Sequence, residues 1–123
     1  MLARDFGSTG VEIPVIGQGT WQIRTGKSGL EALRAGIELG MTHIDTAEMY
    51  TDAEEVVAKA IRGIREKIFL VSKVVPSNAS YKGTLRACDA SLKRLNKRLP
   101  GSILHVAVHD QCSLLECLNQ QAV

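Results

Sequence analysis

Between Val11 and Asn96 the sequence alternates short apolar runs with longer amphipathic ones, and this order leaves few folds open. VIGQGTW starts on a β-branched residue, and SGLEALRAGIELG follows with Leu30, Leu33 and Ile37 at helical spacing. Ser28 with Glu31 makes a capping-box pattern at the start of that helix, and Gly40 supplies a left-handed residue at its end. MTHIDTA is the next strand candidate. DAEEVVAKAIRGI repeats the helical pattern, with Asp52 and Glu55 as an acidic cap and Val56, Ala60 and Ile64 along one side. IFLVSKVV is a continuous apolar run of the kind buried on both faces of a parallel sheet. Tyr81 to Leu95 closes the series as a helix with Leu85, Cys88, Leu92 and Leu95 on one stripe.

Three strand–helix units in succession predict parallel neighbours at Val15 to Thr20, His43 to Asp45 and Ile68 to Lys73, joined by right-handed crossovers. The class is α/β. Ligands of such sheets gather beyond the C-terminal ends of the strands. The polar residues fall there: Thr20 and Trp21 after the first strand, Asp45 to Tyr50 after the second, Lys73 near the end of the third. A lysine in an apolar strand incurs a desolvation cost unless a carboxylate sits beside it, and Asp45 on the neighbouring strand is a suitable partner. A Lys–Asp pair can orient a nearby tyrosine hydroxyl and assist transfer of its proton, which makes Asp45, Tyr50 and Lys73 a candidate catalytic triad. The structural alternative is an ion pair with Tyr50 packed as loop filler.

Composition excludes several other classes. The 123 residues, 45% hydrophobic, suffice for one compact domain, and the 15 basic and 13 acidic residues are interspersed, which argues against a nucleic-acid or membrane-binding face. No window reaches the length of a membrane span, MLARDFGSTG lacks the apolar core of a secretory signal, and the expected location is cytoplasmic. Cys88, Cys112 and Cys117 are odd in number and lack framework spacing, so they are expected as reduced thiols. The sequon Asn78-Ala79-Ser80 is accordingly expected as an unmodified loop.

IPVIGQGTW, GIELGMTHIDTAEMY, EEVVAKAI, REKIFLVSKVVPSNAS and ACDASLKRL closely resemble the N-terminal part of the aldo-keto reductases, bacterial-type members especially. The resemblance runs from about Val11 to Asn96. It implies the first three strands of a (β/α)8 TIM barrel, preceded by a small hairpin plug. It further implies that Tyr50 is a proton donor, that Asp45 and Lys73 tune it, and that Gly19, Thr20 and Trp21 lie beside the nicotinamide of NADPH and a small carbonyl substrate. In that family a reduced nicotinamide gives hydride to a carbonyl carbon while a hydroxyl protonates the oxygen. The runner-up fold is a Rossmann-like open parallel sheet, set back because IGQGTW has two glycines but not the dinucleotide fingerprint. Gly26-Lys27-Ser28 ends like a phosphate loop, but Trp21 occupies the place of its first glycine.

After Asn96 the resemblance stops. The family continues into a fourth strand resembling TDYLDLYLLHW, whereas this chain has KRLPGSILHVAVHDQCSLLECLNQQAV. Lys97 to Leu104 can be encoded by AAA CGA TTA CCT GGA TCT ATA CTT, and reading one base later gives NDYLDLY. Residues 97–123 are therefore expected to be a frameshifted tail, with a divergent tail as the alternative. SILHVAV is a possible replacement strand with poor alternation, expected to be poorly ordered. His105 falls near the distance of the family's substrate-polarising histidine, and His105, His109 and Cys112 mimic metal-ligand spacing, but without a fourth ligand no metal is expected. A complete barrel needs roughly 250 residues, so the expectation is an aldo-keto reductase by ancestry whose isolated 123-residue product is inactive. The rival is a non-enzymatic fragment that self-associates, or binds a full-length reductase, through its open sheet edge.

Overall fold

The computed structural model describes residues 1–23 and 26–95, and the backbone of residues 104–108. A hairpin comes first: β1 (Ala3–Asp5) pairs antiparallel with β2 (Glu12–Pro14), as the plug requires. Then β3 (Gln18–Gly19), α1 (Lys27–Glu38), β4 (His43–Asp45), α2 (Ala53–Ala60), β5 (Phe69–Val74), α3 (Tyr81–Arg94) and β6 (Leu104–Val108) follow. The four strands after the hairpin form one sheet in the order β3-β4-β5-β6, every pair parallel. This order decides between the two predicted folds. A doubly wound Rossmann sheet reverses its strand order at a switch point, whereas here each new strand adds to the same edge, as in a barrel built strand by strand. The sheet is a partial barrel wall, not a closed barrel.

Burial alternates along the strands. Ile44, Leu70, Ser72 and Val74 are buried, while His43, Asp45, Phe69, Val71 and Lys73 are half-buried on the opposite, inner face. The buried side meets the helices through one core of Leu33, Ile44, Val56, Val57, Ala60, Ile61, Ile68, Leu70 and Leu95, with Ile37, Cys88 and Leu92 packed against it. Burial, then the charges of Asp89 and Glu54, push the Cys88 thiol up, so it stays protonated at neutral pH. At the N-terminal end of the inner face the hairpin closes the wall: the Phe6 and Phe69 rings stand edge to face at 5.0 Å, and His43 meets Phe69 at 5.3 Å. At the C-terminal end, among the described residues, the Lys73 and Asp45 side chains keep part of their exposure.

The helix ends differ in part from the predicted caps. Ser28 lies inside α1, whose first turn follows Gly26 at φ 111 with no side-chain cap; instead Lys27 pairs with Glu31 at 3.6 Å. The far end is as expected: Gly40 at φ 89 lets its N–H reach the Ile37 carbonyl while the Met41 N–H reaches that of Gly36. Asp52 precedes α2 but makes no cap bond. α3 is capped by Ser80, whose hydroxyl accepts from the Gly83 N–H at 3.1 Å.

Glu54, in the first turn of α2, is 2% exposed and ties three elements together. The Ser72 hydroxyl donates to its Oε1 at 2.7 Å and Arg94 Nε donates to its Oε2 at 2.5 Å. Arg94→Ala strands that buried carboxylate with one hydroxyl. Loss of one partner of a buried pair costs about 3–5 kcal/mol, and because the Arg94 side chain is 33% exposed the low end applies. The denaturant midpoint of Arg94→Ala is expected to fall accordingly. An unchanged midpoint would show that Arg94 does not hold Glu54 in solution.

β6 lies within the segment read as a tail. Its backbone continues the sheet in register from Leu70↔Leu104 to Val74↔Val108, where the sequence reading expected poor order. The physical reason is the β5 edge, whose free N–H and C=O groups template any extended segment within reach. The rest of 97–123, with His109 and Cys112 and the side chain of His105, lies outside the described residues.

Candidate active site

Side chains two apart on a strand share a face, so Asp45 at the end of β4 and Lys73 near the end of β5 both project from the inner face, on neighbouring strands. Lys73 Nζ is hydrogen-bonded and ion-paired to Asp45 Oδ1 and donates to the Thr46 carbonyl at 2.8 Å. The two side chains are 23% and 42% exposed, so the pair is accessible from the open end of the wall. Tyr50 sits in the turn after β4 and presents its ring to Lys73, the ammonium lying 5.0 Å from the ring centroid. The three residues predicted to converge do so. The contact differs in one respect from the sequence expectation: the described Lys73–Tyr50 contact is to the ring face, an electrostatic attraction of cation and π-cloud.

The first strand contributes its own corner. Gly19 pairs with Asp45, and a Cβ placed on it would meet no atom within 4 Å, so the inner face is open at this point. Thr20 is fully buried, and both its N–H and its hydroxyl donate to the Asp45 carbonyl at 3.0 Å. Thr20 therefore holds the backbone of Asp45 and does not face an open pocket. Trp21, after β3, is 71% exposed, and Met49, after β4, is exposed as well. Gln18 anchors the corner from behind, its amide donating to the Leu33 and Met41 carbonyls at 3.2 and 3.0 Å.

Two carboxylates escaped the sequence reading. Glu54 is hidden by its helical position, where it passes as a solvated first-turn acid. Glu48 had a visible signal: HIDTAEMY holds two carboxylates and Lys73 needs only one, so the second requires donors of its own. It finds them in the turn after β5, at Val75 and Asn78. Among the described residues no group of three potential metal ligands forms, and no helix is long and apolar enough to cross a membrane.

The sequence and the fold are similar to those of known proteins. Methylglyoxal reductase YeaE of Escherichia coli is 56% identical over 92 residues, 70% of this chain and 32% of the relative. An aldo/keto reductase from Klebsiella pneumoniae, solved with NADP and acetate, matches at 50% identity and a TM-score of 0.65, over 70% of this chain and 32% of that one. A second Klebsiella pneumoniae aldo-keto reductase, solved with NADPH, matches at 40% identity and a TM-score of 0.67, over 88% of this chain and 40% of that one. The chain thus spans about a third of the length of the curated relatives it matches. The sequence pattern of the Aldo/keto reductase family matches residues 15–109, reaching past Asn96 to take in β6, and on that match the chain belongs to the aldo/keto reductase family.

Proposed function

We infer that these residues form the proton-transfer corner of an NADPH-dependent carbonyl reductase, with Tyr50 as acid and Asp45 and Lys73 as the pair that holds and tunes it. The observation that carries this reading is the placement of the Lys73 ammonium between the Asp45 carboxylate and the Tyr50 ring at the open end of the sheet. A bound reduced nicotinamide would supply hydride to a carbonyl carbon. The residues present fit its ring end: Gly19 leaves space on the inner face, and Trp21 offers an exposed apolar plane beside it. Negative charge growing on the carbonyl oxygen would be met by the Tyr50 hydroxyl as donor, with Lys73 stabilising the charge left on the phenol. Asp45 fixes Lys73 in that position and offsets its desolvation.

The test completes the wall. Residues 1–95 joined to the remaining strands of the Escherichia coli relative are expected to oxidise NADPH with small aldehydes, read as absorbance decay. Lys73→Met in that chimera should slow turnover about 10²-fold. Full turnover with Lys73→Met would overturn the assignment. Sequencing the coding region beyond Asn96 checks the accompanying proposal of a one-base frame change.

A second reading rests on the outer strands β3 and β6 and the half-buried inner face. The chain would then persist by pairing its edges with another copy or with a full-length reductase. Light scattering separates the two readings: a concentration-dependent oligomer supports edge pairing, and a monomer removes it.

A further inference from the structure

Asp45 in HIDTAEMY is engaged by Lys73, whereas Glu48 crosses to a different partner. The Val75 N–H donates to Glu48 Oε1 at 2.6 Å, and Asn78 Nδ2 donates to Oε1 at 3.1 Å and to Oε2 at 3.3 Å. The Glu48 N–H in turn donates to the Lys73 carbonyl at 3.1 Å. One residue thus grips β5 at Lys73 and the turn that follows it at Val75 and Asn78. Around it the Tyr50 N–H donates to the Ala47 carbonyl at 3.1 Å and the Ala53 N–H to the Tyr50 carbonyl at 2.8 Å, bonds within the loop itself, while Met49, Thr51 and Asp52 are exposed and Thr51 sits at φ 44, where a non-glycine residue is kept only by its surroundings. Within this loop the Tyr50 ring lies under the Lys73 ammonium, which is 5.0 Å from the ring centroid.

We propose that Glu48 is the positioning residue of the site: its carboxylate bolts the Tyr50 loop to the turn after β5 and so sets the Tyr50 ring over Lys73. The proposal deepens the reading of Tyr50 as proton donor and rests on it. In this role Glu48 acts through Tyr50, its carboxylate accepting N–H groups of the neighbouring turn. Those bonds are charge-assisted and stronger than neutral ones, which suits a tether that must hold an exposed turn in one geometry.

The test needs no turnover, so it stands or falls separately from the assignment of Tyr50. An ammonium over an aromatic ring carries its ε-methylene protons into the ring-current field, and carbon–proton correlation spectra of the 123-residue chain read this as an upfield displacement of the Lys73 resonance. Tyr50→Leu assigns the signal and sets its zero. Glu48→Ala is expected to remove more than half of the displacement and to speed exchange of the Val75 amide roughly tenfold, with helix content by circular dichroism retained. Glu48→Gln keeps an acceptor for the Val75 N–H and is expected to keep most of both signals. A merely structural Glu48 would lower the thermal midpoint and leave the displacement of the folded protein unchanged; that result overturns the proposal. Should Glu48→Ala not fold, Val75→Pro decides by the same criterion. Val75 sits at φ −68, which proline adopts without strain, so this change removes the donor to Glu48, puts the ring Cδ where the amide hydrogen pointed at the carboxylate, and thereby breaks the tether. A reduced displacement in Val75→Pro supports the tether, and an undiminished one overturns it.

Discussion

A polypeptide of these 123 residues, mixed with NADPH and a broad panel of aldehydes, is expected to oxidise the cofactor at the background rate. Hydride transfer depends on holding nicotinamide and carbonyl in a near-attack geometry, a contribution on the order of 7 to 11 kcal/mol when orientation is fully realised. The described residues supply one wall of a barrel, β3 to β6, with Gly19 and Trp21 at and after the end of β3 and Met49 and Tyr50 after the end of β4. A ring end lodged there is bounded on one side only. Proton donation alone is worth about 10² to 10⁴ in rate, which does not replace the missing orientation. Absorbance decay and a fluorescence titration of NADPH, on protein whose mass includes Val123, provide the check. Micromolar binding together with turnover that disappears in Tyr50→Phe would mean that the tail or a partner chain completes the wall.

The fold was legible because each strand–helix unit carries its own periodicity. His43 to Asp45 matches the strand residue for residue, and the Ile68 to Lys73 strand is displaced by one position, to Phe69–Val74. The first strand shrinks from six predicted residues to Gln18–Gly19, because Val15 and Ile16 are exposed and only the last part reaches β4. Periodicity reports which face is apolar, so it places cores well and caps poorly. Ser28 satisfies a capping pattern by composition, yet the chain turns at Gly26, whose φ of 111 a glycine adopts without strain.

The Lys73–Asp45 pair was legible for a different reason: a lysine inside IFLVSKVV demands a partner, and the neighbouring strand offers Asp45. Demand of this kind points at partners in the sheet. It does not reach Glu48, whose donors lie in the loop after β5, or Glu54, a helix residue that takes one donor from Ser72 of β5 and one from Arg94 of α3. Nor does alternation find β6, because its pairing is decided by the edge it joins rather than by its own pattern.

Tyr50→Phe in a completed barrel is expected to lower kcat for carbonyl reduction by about 10² to 10⁴, or roughly 2.7 to 5.5 kcal/mol of transition-state stabilisation. The substitution is narrow. Phenylalanine keeps the ring that Lys73 meets at 5.0 Å, so the cation–π contact and the Lys73–Asp45 pair are retained, and only the hydroxyl is lost. Because that hydroxyl acts where charge develops on the carbonyl oxygen, NADPH affinity and the thermal midpoint are expected to stay nearly constant while kcat falls. Steady-state kinetics with a fluorescence titration of the cofactor separate the outcomes. Equal loss of kcat and of NADPH affinity would mark Tyr50 as packing for the mouth of the site. Loss confined to kcat places the proton on the Tyr50 hydroxyl, and combining Tyr50→Phe with Lys73→Met should then cost little more than Tyr50→Phe alone, since residues that act as one unit are not additive.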